Sequence, residues 1–228
     1  MTSPNAPLES PCVALFDLDG TLTWRDTLLP FLRGYLIRHP RRLLRLWRLA
    51  PAIIGYAVLN RDRGELKSRA IRLVMGGDTR QSIEKWAESF VRAMRPRHRF
   101  RPAALAALEA HRSAGDHLVL LSASPDLYVP RIGRLLGFER TVCTELKWQG
   151  ERLDGRLKTL NRRGEEKLRC FAWLRAQYHE LPVVAYGNSA SDLMHLREAD
   201  RATLVNGNAA ARRGAAEVGI AVTDWSRH

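Results

Sequence analysis

The chain has 228 residues, 45% of them hydrophobic, and carries 37 Lys and Arg against 24 Asp and Glu, a formal charge of +13. This length and apolar content fit a globular protein that can bury one core domain and a sizeable insertion. Cys12, Cys143 and Cys170 are odd in number and scattered without metal or redox spacing, which excludes a disulfide scaffold and points to a reducing cytosol.

Residues 1–11 are rich in Pro, Ser and Asn and lack the basic-then-apolar order of a signal peptide. Cys12-Val13-Ala14-Leu15-Phe16 then reads as a buried parallel strand. Asp17-Leu18-Asp19-Gly20-Thr21 follows directly, so two carboxylates two residues apart leave the strand end facing the same way. Gly20 permits a sharp exit. Open parallel sheets bind ligands at the carboxyl ends of their strands. A carboxylate pair there suits one Asp as nucleophile and its neighbour as acid/base beside a hard cation. The plainer alternative is a strand ending in an Asp-Gly turn with both acids solvated.

From Asp17 to His117 is 100 residues, whereas a strand–helix–strand unit needs about 30, so about 70 residues are inserted. The insertion is patterned for helices. Leu28, Leu29, Leu32, Tyr35 and Leu36 fall on one face, as do Leu66, Ala70, Leu73 and Val74, then Ile83, Trp86, Ala87, Phe90 and Val91. Pro30, Pro40, Pro51, Gly76-Gly77 and Pro96 punctuate it. Residues 25–101 hold 19 Lys/Arg against 6 Asp/Glu, while the rest of the chain has 18 of each, so the whole positive excess lies in the insertion. Arg41, Arg42, Arg45 and Arg48 form one helical face opposite Leu43, Leu44, Leu46, Trp47 and Leu49. A basic amphipathic helix with a Trp suits an anionic membrane surface; a solvated Arg face over an ordinary core is the alternative. No nucleic-acid partner is expected, because no binding fold or aromatic-basic platform is legible. The apolar run nearest to a membrane span, residues 50–59, is too short and contains Pro and Gly.

Beyond the insertion, His117-Leu118-Val119-Leu120-Leu121 runs into Ser122-Ala123-Ser124-Pro125, read as a turn that opens a helix and offers phosphate-binding amides. Residues 140–144 read as a strand and 147–157 as a hairpin. Lys167 sits early in a helix that presents Leu168, Phe171, Leu174 and Tyr178 on one face, from where it could reach over a phosphoryl group. Val183-Val184-Ala185-Tyr186 delivers Gly187-Asn188-Ser189-Ala190-Ser191-Asp192, a polar turn ending in a carboxylate, and short strands follow at 202–205 and 219–222. The seven histidines show no metal-ligand pairing, and His195 reads as a helix-surface residue.

Those four motifs in that order, spanning nearly the whole chain, resemble the haloacid dehalogenase (HAD) superfamily of phosphohydrolases, and within it the phosphoserine-phosphatase-like branch. The resemblance implies an α/β fold: a Rossmann-like parallel-sheet core, residues 1–23 and 101–228, with an inserted all-helical cap, residues 24–100. It implies Asp17 as the nucleophile that takes the phosphoryl group and Asp19 as general acid/base and backbone metal ligand. Lys167, Ser122 and Ala123 would hold the phosphate, with Arg163 as the alternative cation. Asp17, Asp19, Asn188 and Asp192 would hold Mg²⁺, and Asp26 and Lys67 lie where the branch carries its substrate-contacting residues. One departure stands out: the fourth motif usually begins Gly-Asp, and here Asn188 replaces that Asp, removing a negative charge from the metal site. Gly-Asn-Ser variants resemble HAD domains of prenyl- and lipid-processing proteins. The long basic cap and the loop from Ser122 resemble phosphatidylglycerophosphatase enzymes of the C type, which implies a phospholipid or other membrane-associated phosphate as substrate. Two alternatives stay open: a phosphatase for a small soluble metabolite of the phosphoserine or histidinol phosphate type, and a weakened HAD scaffold that binds membrane or protein. The expected location is the cytoplasm, extended by the lipid reading to the inner face of the membrane.

Overall fold

In the computed structural model, residues 11–49, 63–94 and 99–226 are described. Nearly all of the amino-terminal segment, the apolar run 50–59, Pro96, His98 and His228 lie outside them.

Strand β1, Val13–Phe16, is entirely buried because it runs through the middle of the sheet. Its side chains alternate between two cores: Ala14 and Phe16 pack with Leu118, Leu120 and Tyr128, while Val13 and Leu15 pack with Val119, Leu121 and Ala185 on the other face. Six strands line up in the order β3-β2-β1-β6-β7-β8, all parallel: β2 His117–Pro125, β3 Arg140–Thr144, β6 Val183–Gly187, β7 Arg201–Val205 and β8 Ala221–Thr223. This is the expected α/β architecture of the Rossmann type. A sheet covered on both faces needs continuous apolar runs, and that is why those runs were legible.

The insertion is helical: α1 Leu28–Arg38, a 3₁₀ helix Pro40–Leu49, α2 Arg63–Met75 and α3 Arg80–Met94. The chain leaves and re-enters the core side by side, Thr23 bridging Phe100 and the Trp24 amide donating to the Arg99 carbonyl. The third amphipathic face is as expected, burying Ile83, Trp86, Ala87 and Val91, with Phe90 packed against the core. In α1 the buried residues are Phe31, Leu32 and Tyr35, and Leu29, expected inward, is 71% exposed. In α2 the inward face is turned by about one residue, to Ile71, Val74 and Met75.

The β4–β5 hairpin, Leu146–Gln149 and Arg152–Leu157, ties the insertion to the core. The Leu153 amide donates to Asp78, the Gly77 amide to Leu153 and the Arg80 amide to Glu151. Gly155 (φ +86°) is needed there, since a Cβ would lie 3.0 Å from the Arg72 Cα. At the opposite end of the sheet His111 links Asp116 (2.6 Å) and the Tyr186 hydroxyl (2.9 Å), beside the buried Cys12 thiol. Cys143 and Cys170 are also buried free thiols.

The reading of Ser122-Ala123-Ser124-Pro125 as a helix-opening turn is overturned. These residues continue β2, paired to Cys143 and Thr144 of β3 across an irregularity between Ser122 and Pro125. After α4 (Pro102–Ser113), which leads into β2, a short helix, α5 Val129–Leu135, starts only after Tyr128. Pairing to β3 still satisfies the backbone there, so the chain has no cause to turn helical. No helix among the described residues is long and apolar enough to cross a membrane.

Candidate active site

The carboxyl ends of β1, β2 and β6 converge on a cleft of about 470 Å³, walled on the far side by α1 and α2 of the insertion. Asp17 leaves β1 and is buried, its Oδ2 accepting the Thr21 hydroxyl at 3.1 Å and its Oδ1 the Lys167 ammonium at 2.6 Å. Lys167, in the first turn of α6 (Glu165–Gln177), is 2% exposed and donates equally to Asp192 Oδ1 at 2.7 Å. Asp192 is held in turn by the Ser189 amide (3.0 Å) and hydroxyl (2.6 Å). One ammonium thus lies between two buried carboxylates, and removing any of the three leaves buried charge unbalanced.

Burial pushes the Asp17 carboxyl above the usual carboxylate range, with Asp192 and Asp19 adding to the push and Lys167 opposing it. Asp192 is pulled below that range despite its burial, chiefly by Lys167, with the Ser189 hydroxyl bond adding to the pull. Burial works against the Lys167 ammonium, yet Asp17 and Asp192 more than offset it and keep it charged.

Asp19 is aimed differently. Its Oδ1 accepts the Thr27 amide (2.7 Å) and hydroxyl (2.6 Å), and its Oδ2 the Ser124 hydroxyl (2.6 Å). Burial raises it, with Asp26 adding like charge, against the donors. A carboxyl biased toward its protonated form and fixed in orientation suits general acid/base work. Gly20 (φ +86°) makes the next turn pass so close to Asn188 that a Cβ would lie 2.0 Å from its amide nitrogen.

The remaining expected residues separate into two groups. Ala123, Asn188, Asp26 and Lys67 line the cleft. Lys67 reaches across from the insertion to donate to the Ala123 carbonyl and to Asn161, each at 2.6 Å, while Asp26 Oδ1 accepts the Leu29 amide at the start of α1. Ser122 is fully buried, its hydroxyl accepting the Ser124 amide, so Ser124 rather than Ser122 is the hydroxyl on the cleft wall. Arg163 lies on the wall with Arg25, Arg63 and Arg162, away from the Asp17–Asp192 pair that Lys167 occupies. His195, expected on a surface, is 1% exposed against Phe171, with its pKa pushed down to about 3, chiefly by burial. It is a neutral residue behind Asp192. Thr27, Ser124 and Ser189 were not singled out from the sequence. Thr27 precedes its helix with no pattern of its own, whereas Ser124 and Ser189 stood inside quoted motifs.

The carboxylates of Asp17, Asp19 and Asp192 and the amide oxygen of Asn188, all hard oxygen donors, belong to residues lining this one cleft, and a single buried ammonium lies between Asp17 and Asp192. Burial raises Asp17, with Asp192 and Asp19 adding like charge, and a hard divalent cation fits that donor set.

Comparison with known proteins gives a concordant result. The haloacid dehalogenase-like hydrolase family matches residues 14–197, a span that contains every cleft residue named above. Protein CicA of Caulobacter vibrioides is 36% identical over 191 residues, 83% of this chain and 84% of CicA. Among solved structures, a protein of unknown function from Bordetella pertussis Tohama I aligns with a TM-score of 0.79 at 23% identity, covering 95% of this chain and 99% of that one. A phosphoserine phosphatase solved with an analogue of its phospho-aspartyl intermediate aligns at 0.66 and 14% identity, covering 96% and 95%. At such identities the structural likenesses bear on the fold alone.

Proposed function

This chain belongs to the haloacid dehalogenase-like hydrolases, and we propose that it is a phosphomonoester hydrolase working through an aspartyl-phosphate on Asp17. The observation that carries this reading is the cleft floor: Asp17 and Asp192 on one buried ammonium, with Asp19 turned aside and held by Thr27 and Ser124. A carboxylate oxygen of Asp17 attacks phosphorus, and the ester P–O bond breaks as Asp19 gives its proton to the leaving alcohol oxygen. Water then attacks phosphorus, Asp19 takes a proton from it, and phosphate departs with Asp17 restored. Lys167 opposes the charge that develops on the phosphoryl oxygens, and Ala123 and Ser124 offer polar contacts at the cleft wall. Mg²⁺ is the cofactor proposed for this donor set. Asp17, Asp19, Asn188 and Asp192 would hold it, and it would neutralise charge on the transferring group.

The insertion, residues 24–100, is proposed as a cap over a core made of 1–23 and 101–228, supported by Lys67 reaching from α2 to Ala123. The substrate class proposed is a phospholipid or other membrane-associated phosphate. Support comes from the 3₁₀ helix Pro40–Leu49, which buries no residue and exposes Leu43, Leu44 and Trp47 beside Arg41, Arg45 and Arg48. Arg42, expected on that surface, does not belong to it. It turns inward to pair with Asp78 and to donate to the Val74 carbonyl, pinning the element to the fold. The location proposed with this substrate class is the cytoplasm, peripherally on the inner face of the membrane.

The test is hydrolysis of p-nitrophenyl phosphate by the purified protein. Turnover that appears with Mg²⁺, vanishes with chelator and is lost in a folded Asp17→Asn variant is the expected result. An Asp17→Asn variant as active as the parent overturns the nucleophile and with it the mechanism.

A further inference from the structure

A second cavity, about 580 Å³, opens beside the cleft where the chain enters and leaves the insertion. Its walls are the Trp24 ring, Pro30 at the start of α1, and Phe90, Ala93 and Met94 on the last turns of α3. This volume lies within the range of small-molecule pockets, roughly 300–1,000 Å³. Its lining is more apolar than the cleft's. Where the cleft presents Asp17, Asp19, Lys67, Asn161, Arg163 and Lys167, the cavity sets Trp24, Pro30, Phe90, Ala93 and Met94 beside Thr23, Thr27, Arg25, Asp26 and Arg99. The two spaces share a wall: Trp24, Arg25 and Asp26 line both. The two spaces adjoin there, so a single molecule can be laid across both, its phosphate over Asp17 and its apolar part against Pro30, Phe90 and Met94.

We infer that the Trp24–Met94 cavity is the subsite for an apolar chain on the leaving alcohol, so that the substrates are phosphomonoesters of amphiphilic alcohols. This inference rests on the phosphatase reading and extends it. Water held against Trp24, Pro30, Phe90 and Met94 is released when a chain enters, so affinity grows with every methylene buried. Arg25 and Asp26, which line both spaces, suit the ester and hydroxyl groups between chain and phosphate. An alcohol with no apolar part leaves the cavity empty and gains nothing from it.

The experiment uses a homologous series, ethyl, butyl, hexyl and octyl phosphate below their aggregation concentrations, with the matching alkylphosphonates as non-hydrolysable ligands measured by calorimetry. The parent should gain up to about fourfold in kcat/KM and in phosphonate affinity per buried methylene. Ala93→Trp fills the cavity from an exposed wall position and should flatten both slopes while leaving ethyl phosphate turnover unchanged. A flat series in the parent overturns the inference whatever the variant does, as does a variant that keeps the parent's slope. If no phosphate is hydrolysed but phosphonate affinity still climbs with chain length and Ala93→Trp removes the climb, the cavity assignment stands and the hydrolase mechanism falls. If ethyl phosphate is hydrolysed and the phosphonate series is flat, the reverse holds.

Discussion

Replacing Lys167 with Met should cost stability and turnover together, and the structure sets the size of both. The ammonium is 2% exposed, 2.6 Å from Asp17 and 2.7 Å from Asp192. Without it two buried carboxylates face each other with no cation between them. Breaking a buried pair by removing one partner costs about 3–5 kcal/mol. The lower end applies here, because Asp17, already pushed up by burial, can take a proton, and Asp192 keeps its bonds from Ser189. With a urea slope near 3 kcal/mol per molar, the midpoint at pH 7.5 without Mg²⁺ should fall by about 1 M. In the variant the carboxyls have folded pKa values raised above their unfolded ones. Their penalty is therefore absent below the unfolded carboxylate range and grows as pH rises through the folded values, so the deficit against the parent shrinks in acid. Hydrolysis of an aryl phosphate should drop about a hundredfold or more, as when one preorganised donor to a transition-state oxygen is removed. A variant that unfolds at the parent's urea midpoint and keeps its turnover would refute the placement of Lys167 between the two acids.

Three further changes probe other parts of the molecule. Asn188→Asp restores an anionic oxygen to the metal donor set and should tighten Mg²⁺ several-fold in a calorimetric titration; unchanged affinity means that Asn188 does not face the metal. Asp126, pushed up to about 6 chiefly by burial with Glu145 adding like charge, contributes stability present below its unfolded value near 3.8 and lost as pH rises through 6. Asp126→Asn should accordingly raise stability at pH 8 by about 1–2 kcal/mol and change little at pH 4, and equal shifts at both pH values would contradict this. Replacing Arg41, Arg45 and Arg48 by Gln, with Arg42 left in its pair with Asp78, removes three charges each worth about 1 kcal/mol at an anionic surface. Sedimentation with anionic liposomes at low salt should be lost while aryl phosphate turnover holds, and parent-like sedimentation would show the basic face to be solvated surface.

The sheet was legible because its strands are buried on both faces, so β1, β2 and β6 appear as unbroken apolar runs with the polar motifs set at their ends. Helical periodicity found α3 well but misjudged α1, where Leu29 is as apolar as Leu32 and nothing in the pattern says which will meet the core. The Ser122–Pro125 segment misled for a different reason. Its small polar residues suit a turn, but β3 pairs with them, and a partner strand 19 to 21 residues away in sequence leaves no local trace. His195 was misplaced because burial beside Lys167 and Asp192 is a tertiary fact. Thr27 and Ser124 became visible as the holders of Asp19 only when the insertion and β2 were folded onto β1.

The same arrangement explains how one cleft can serve both a cation and a polyanion. Its floor is acidic, Asp17, Asp19 and Asp192 outnumbering Lys167, and its walls are basic, with Arg25, Arg63, Lys67, Arg162 and Arg163 around the opening. A metal ion on the floor, as proposed, and a phosphate against the walls would each lower the cost of seating the other because their charges oppose. Asn188 in place of a carboxylate moves that balance toward the walls: the floor loses one negative charge and the ring of cations is left less compensated. On the proposed phosphatase reading that bias trades metal affinity for attraction of the phosphate, and Asn188→Asp shifts it back toward the floor.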